Sequence, residues 1–327
     1  MSLPGAALVQ ALVRRLSEPD YPLLAVEVRP RALGVVRLQR ARGRVELGAA
    51  VSQDLPAGCL RPDLAEPNLL APEAFQAALR TALERAGAAG AGRACLVLPD
   101  LSARVALLPA ADVHGKRPAE AGELVRFKLR KSLPFEVRDA HVVWHRPSAA
   151  EAASGSLPVV AASRVVIEQY EAALSAVGLH AGLVELCGLV CLEAAQRGRP
   201  AGEDRVVINW DDGYVSLLLV RAGRLAMART LALSDEPAEA VAEVQREAFN
   251  TLLYYRERLA GQGLAGATLR SAVVPPDEAA ALLAEPLELV PEALDPWTGT
   301  PSAQAPRGFD VPGGLSAALC TVLGRAA

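Results

Sequence analysis

The sequence holds no basic excess: 34 Lys and Arg stand against 37 Asp and Glu, a formal net charge of -3. Without a positive field or a run of Lys and Arg, neither nucleic acid nor an anionic lipid surface is an expected partner. No stretch reaches the roughly 18 to 20 uninterrupted apolar residues of a membrane-spanning helix, and even "GLHAGLVELCGLVCL" is broken by Glu185. The basic-then-apolar order of a secretory signal is missing, because Arg14 and Arg15 follow the first apolar stretch. A cytoplasmic protein is the expectation. Metal-ligand sets are missing as well. The five cysteines, Cys59, Cys95, Cys187, Cys191 and Cys320, are odd in number and sit mostly in apolar runs, which reads as reduced core thiols. Cys187 and Cys191 lie four apart on an expected helix, and His141 and His145 fall on one face of an expected strand. Neither pair has the further Cys or His that a tetrahedral zinc site needs.

What is present is a chain of 327 residues, 51% of them hydrophobic, long enough for two domains of ordinary size. Residues 3–16, "LPGAALVQALVRRL", place Leu8, Val9, Leu12, Val13 and Leu16 on one stripe and predict a short amphipathic helix. It reads as a cap on the domain or as a membrane-surface anchor. From Leu23 the pattern changes to three short strands, "LLAVEVRP", "ALGVVRLQRARG" and "RVELGAAVSQ", followed by a helix in "APEAFQAALRTALERAGAAG" and the strands "RACLVLPD" and "RVALLP". A helix closed by "SLPF" comes next, in which Leu124, Phe127 and Leu129 or Lys131 alternate sides, with Pro134 ending it. The strand Ala140 to Trp144, a loop "SAAEAASGS" and the strand "LPVVAAS" follow, then a helix, a strand and a buried helix up to "RGRPAGED".

Beyond that loop, "RVVINWDDGYVSLLLVRAGRLAMARTLAL" is a second three-stranded meander, followed by the long helix "PAEAVAEVQREAFNTLLYYRERLAG", a strand at "SAVVPP", the helix "DEAAALLAE", a strand at "PLELV" and a last helix around "GGLSAALCTVLGRA". The order βββα, then β and α, thus occurs twice. Two facing βββαβα copies describe an α/β, actin-like (ribonuclease H-like) architecture whose ligand cleft lies between the copies. The acidic turn at Asp211-Asp212-Gly213 lies in that cleft. As a hairpin, Asp212-Gly213 needs positive φ at both positions and explains the acidic cluster without a ligand.

Several segments carry a resemblance to a known family. "ELVRFKLRKSLPFEVRDAHVVW", "VVAASRVVIEQYEAALSAVGL", "EVQREAFNTLLYYRERL" and "AEPLELVPEALDPW" resemble, in order and spacing, the type IV pilus assembly protein PilM family, actin-like relatives of the cell-division protein FtsA. The resemblance runs over nearly the whole chain. It implies an N-terminal helix at 1–20, a first actin-like domain at 21–200 with an FtsA/PilM-type inserted subdomain at about 112–157, and a second actin-like domain at 201–327 whose C-terminal helix packs back on the first.

The same resemblance places the family's nucleotide turns. Its Asp-x-Gly-Ser falls on Glu27, Arg29 and Pro30, so the turn gains a bulky side chain and loses a backbone donor. Its second Asp-x-Gly falls on Asn209, Trp210 and Asp211, with Asp212 next and Val215 at the family's Thr position, and its adenosine-turn Gly-Gly is replaced by Pro275 and Pro276. Backbone N–H groups approach a phosphate only where side chains leave room. The substitutions therefore predict a pseudo-ATPase with no catalytic residue and no cofactor, and only Mg²⁺ could reconcile two carboxylates with a polyphosphate there.

Function then lies in surfaces. The resemblance implies a scaffold peripheral to the inner membrane through its partners. It binds a short N-terminal peptide of a PilN-like inner-membrane protein in the groove between first domain and inserted subdomain, with pilus motor proteins and self-association as further contacts. Candidate floor residues are Phe127, Leu133 and Phe135, with Arg126, Lys128 and Arg130 as rim charges; each apolar one reads equally as subdomain core. Two alternatives stand beside this. A domain like that of the type II secretion protein GspL expects a membrane helix after it, and an active actin-like ATPase or sugar kinase expects intact glycine turns and a catalytic Asp.

Overall fold

The computed structural model describes residues 21–41, 44–200, 202–300 and 311–326; the helix expected at 3–16 lies outside them. Three strands, β1 (Leu24–Arg29), β2 (Ala32–Ala41) and β3 (Arg44–Asp54), form an antiparallel meander. Helix α1 (Pro72–Arg85) starts on Pro72, where a missing N–H is harmless, and buries Phe75, Ala78, Leu79, Ala82 and Leu83 at helical spacing. It leads to β4 (Gly92–Leu98), parallel to β1. The chain then leaves the first sheet through β5 (Arg104–Pro109), α2 (Ala110–Val113), α3 (Pro118–Leu129), β6 (Ala140–Trp144), α4 (Ala149–Ser154) and β7 (Ser156–Ser163). It returns by α5 (Arg164–Ser175) into β8 (Leu179–Leu186), parallel to β4, and α6 (Cys187–Gln196) follows.

The pattern then repeats in β9 (Arg205–Asp211), β10 (Tyr214–Arg221), β11 (Arg224–Ala232), α7 (Pro237–Glu257), β12 (Gly266–Ser271), α8 (Pro276–Leu287) and the two-residue β13 (Glu292–Ala293), and α9 (Gly313–Ala326) closes the described chain. The sheet orders are β3-β2-β1-β4-β8 and β11-β10-β9-β12-β13, the same arrangement twice, with a three-stranded antiparallel sheet β5-β7-β6 between them in sequence. Helices α1 and α5 cover the outer face of the first sheet, α7 and α8 that of the second, and α6 and α9 lie between the two.

Four local expectations are corrected. The third sheet extends from Arg104 to Ser163, beyond the 112–157 expected, because β5 and β7 pair along their whole length. The "SAAEAASGS" loop contains α4, started by a capping box in which Ser148 and Glu151 satisfy each other's backbone N–H groups. The strand placed at "SAVVPP" lies earlier, at Gly266–Ser271; Val274 is instead held in a turn by the Ser271 hydroxyl. The strand placed at "PLELV" gives way to the end of α8. Pro286 is tolerated there because the carbonyl it leaves free, that of Leu282, accepts from Gln245 Nε2 at 2.9 Å.

Candidate functional site

Strand alternation decides what faces the space between the two main sheets. On β1, Leu24, Val26 and Val28 point into the outer core, so Ala25 and Glu27 point inward. On β9, Val206, Ile208 and Trp210 point outward, which turns Asn209 and Asp211 inward, and on β12 the outward Ala267 and Leu269 leave Arg270 inward, directly across the ladder from Asn209. All four inward polar groups are buried. Arg270 Nη1 donates to Asp211 Oδ2 at 2.8 Å and to Asn209 Oδ1 at 2.5 Å, while its Nη2 donates to Glu27. Arg29, from the other half, donates to Asp211 at 3.0 Å and to the Ala272 carbonyl at 3.0 Å. The second Glu27 oxygen accepts from the backbone N–H of Ala318 on α9 at 2.8 Å. Deeper still, Asp100 accepts from Asn209 Nδ2 at 2.8 Å and from the N–H of Gly188 at 2.7 Å. A Cβ at Gly188 would stand 2.5 Å from Asp100 Oδ2, so the close approach requires glycine.

Two guanidinium groups thus meet two carboxylates out of water. Burial pushes the Glu27 carboxyl up, against the pull of Arg270. Burial would raise Asp211 too, but Arg270 and Arg29 together hold it below the ordinary carboxylate value. Burial disfavours the charge on Arg270, and the Glu27 and Asp211 carboxylates around it favour it. Glu27, Cys187 and Asp211 bring ligand atoms within 4.8 Å of one another, but burial keeps Cys187 a thiol and Arg270 already holds both carboxylates. As arranged, the trio fits no metal.

Nor do the residues at the hairpin turns fit a polyphosphate. The β1–β2 and β9–β10 turns are tied to each other by Arg29 to Asp211 and by Arg31 to Asp212 at 3.1 Å. The adjoining cavity, about 350 Å³, presents Asp211, Asp212 and Asp235 against Arg31 alone. Pro30 lies in the first turn, and Pro275 and Pro276 start α8, so none of the three offers a backbone donor. The acidic turn itself needs a correction: Gly213 has φ of 72°, but Asp212 is not among the described residues with positive φ. Its N–H is held by its neighbour's Asp211 Oδ1 at 2.8 Å. The turn with positive φ at both centres is Ala222-Gly223, at 48° and 76°.

The six groove candidates are not brought together. On α3 the inward positions are Ala121, Val125 and Leu129, so Phe127 points away from them and is 71% exposed. Leu133 is in the core of the third sheet, at 8% exposure, with Phe135 packed on the same core. Arg126 closes the carbonyls of Val137 and Ala140, Lys128 pairs with Asp112, and Arg130 is exposed. An apolar space lies elsewhere. Between the first sheet and the far face of the third lies an apolar cavity of about 470 Å³, walled by His141 and Val143 of β6, Val160 of β7, Ile167 of α5 and residues 183–186 of β8. Sequence reasoning missed both this wall and Arg270. A charged residue in the apolar run "GATLRS" was the available signal for the second.

No family model matches the sequence and no curated protein matches it. Comparison of structures gives a clear answer: a chain of a PilM-PilN type IV pilus biogenesis complex superposes with a TM-score of 0.76 at 20% identity, covering 94% of this chain and 100% of that one. The chain has the actin-like fold of PilM. The cytoplasmic domain of EpsL, an inner-membrane component of the type II secretion system of Vibrio cholerae, is more distant, with a TM-score of 0.52 at 10% identity over 93% of this chain and 94% of that one. The likeness to PilM is one of fold, and it covers the third sheet as well as the two main ones.

Proposed function

We propose that this protein is a PilM-like scaffold of a pilus-assembly or secretion platform. It binds a short N-terminal peptide of a PilN-like inner-membrane protein and does not hydrolyse ATP. The observation that carries this reading is the acidic, internally paired turn: Arg29 and Arg270 hold the carboxylates of Glu27 and Asp211, and the cavities beside the turns, about 350 and 710 Å³, present Asp212 and Asp235 where a polyphosphate would bring negative charge. The apolar cavity between the first and third sheets is the surface whose open walls suit an extended peptide. It replaces the Phe127 set as the peptide site. Nothing in this role needs a membrane-spanning segment of the chain's own, and no described helix is long and apolar enough to be one; the partner holds it at the inner membrane.

Two titrations test the reading. Calorimetry with ATP, with and without Mg²⁺, is expected to give no heat, and the N-terminal peptide of the PilN-like protein from the same organism is expected to bind. Mg²⁺-dependent binding with turnover that disappears in Asp211→Ala would sink the pseudo-ATPase reading. The likeness to EpsL favours a second reading, a type II secretion scaffold. Binding of the secretion-system partner in place of the PilN-like peptide would decide for it.

A further inference from the structure

Strand β6 alternates, so its two faces meet different spaces. His141 and Val143 wall the apolar cavity between the first and third sheets, whereas Val142 and Trp144 pack on the core of the third sheet, on the other side. There, where β6 and α2 end and α3 begins, lies a separate cavity lined by Val113, Lys116, Pro118, Ala121, Trp144 and Arg146. Its floor is apolar, with Val113 and Ala121 buried and Trp144 half-buried. At about 220 Å³ it is smaller than the roughly 300–1,000 Å³ of pockets that take drug-sized ligands, and it has room for one residue of a partner.

The charges at its rim do not cancel. Lys116 pairs with Glu120 at 2.8 Å, while Arg117 and Arg146 make no ion pair among the described residues. Asp112, the other acid of this corner, is taken by Lys128 at 2.7 Å. Arg146 is held in place by donating from Nη2 to the Lys116 carbonyl at 3.1 Å, and its other guanidinium nitrogens have no partner among the described residues. Nor has the Trp144 indole N–H. Helix α3 begins at the same wall without a side-chain cap, so the N–H groups of its first turn add to the positive field. Unpaired donors and cations above an apolar floor suit a carboxylate carried on an apolar body.

We propose that this cavity receives the C-terminal residue of a partner chain, its apolar side chain on the floor and its free α-carboxylate against Arg146 and Lys116. Asp and Glu side chains bring a carboxylate but no apolar body to fill the floor. A free amino acid brings an ammonium group beside the two cations, whereas the last residue of a chain has a neutral amide nitrogen in that place. Because this cavity and the larger apolar one lie on opposite faces of the third sheet, the site does not depend on what the larger one binds.

The test uses the full chain and the ¹H–¹⁵N signals of its three tryptophan indoles, with Trp144→Phe identifying the one at the cavity. The probe is the peptide Gly-Gly-Gly-Gly-Phe with a free or an amidated C-terminus, titrated into the millimolar range. The free acid should move the Trp144 signal, leave those of Trp210 and Trp297 in place, and bind at least about tenfold more tightly than the amide. Equal binding of the two, or no movement at Trp144, overturns the proposal. Phenylpropionate binding as tightly as the peptide would assign the cavity to a free acid, and the chain-terminus proposal fails. Arg146→Glu should weaken binding of the free acid about fivefold with Tm unchanged, and Arg146→Lys, which keeps the charge, should lose less. An Arg146→Glu chain that binds the free acid as well as the parent does also overturns the proposal.

Discussion

Two spaces in this protein lie between sheets, the cleft between the two main sheets and the groove between the first and third, and they are finished differently. In the cleft the charged groups find partners within the chain: Arg270 takes Glu27 and Asp211, Arg29 takes Asp211 and a carbonyl, and α9 supplies an N–H to Glu27, with Arg270 Nε left over. In the groove the strand edges of β8 and β6 have no neighbouring strand, and Val143 stands exposed, among the described residues. Polar groups that are satisfied internally offer a ligand less than ones that are not. A space with unpaired backbone and bare apolar surface is still asking for a partner.

The largest expected effect would break the first half of that contrast. Arg270→Met should lower the unfolding free energy by about 3–5 kcal/mol, since it leaves buried carboxylates short of a cation. Adding Glu27→Gln and Asp211→Asn should recover part of the loss in urea denaturation. A loss below about 1 kcal/mol for Arg270→Met would mean that water reaches the cleft. Next in size, Leu133→Ala should cost about 2–4 kcal/mol as a core truncation, whereas Phe127→Ser should stay within about 0.5 kcal/mol. Equal effects would contradict the outward placement of Phe127. Val143→Arg sharpens the other half of the contrast: stability within about 0.5 kcal/mol of the parent, with binding of the PilN-like peptide reduced at least about tenfold. The smallest effect belongs to a charge left in water. Ser148, through its backbone N–H and then its hydroxyl, and His145 after it, hold Glu151 down at about 2. That depressed carboxylate stabilises the fold fully above its ordinary 4.5 and less as the pH falls toward 2. A ¹³C titration of Ser148→Ala should show it rise only part of the way, because the backbone N–H and His145 remain.

The repeated βββα order was legible because short apolar strands are punctuated by Arg-Pro, Arg-Gly, Asp-Gly and Ala-Gly turns. The cleft was half legible. Glu27, Arg29 and Asp211 stand where the resemblance put the nucleotide turns, and the loss of glycine there was visible in the letters. Arg270 was not, because the strand that carries it was placed five residues too late, at "SAVVPP", and its partners lie 59, 61 and 243 residues away. No local pattern encodes such a distance. Phe127 was misread for a phase reason: its helix buries every fourth residue from Ala121, and one aromatic among alternating charges does not reveal which side is inward. The free edge of β8 is a property of sheet order, which strand periodicity does not contain.

Helix α9 has a consequence for how the protein is made. Its Leu315, Ala318, Leu319, Val322 and Leu323 cover the inner face of the first sheet around Ala25, Val36 and Cys95, and Ala318 is 291 residues from the Glu27 it meets. On a ribosome adding about 5–20 residues per second, that face waits roughly 15–60 s for the segment that covers it. The earliest-made sheet therefore cannot finish folding until the end of the described chain has emerged, and through that interval its inner apolar face lacks the helix that covers it.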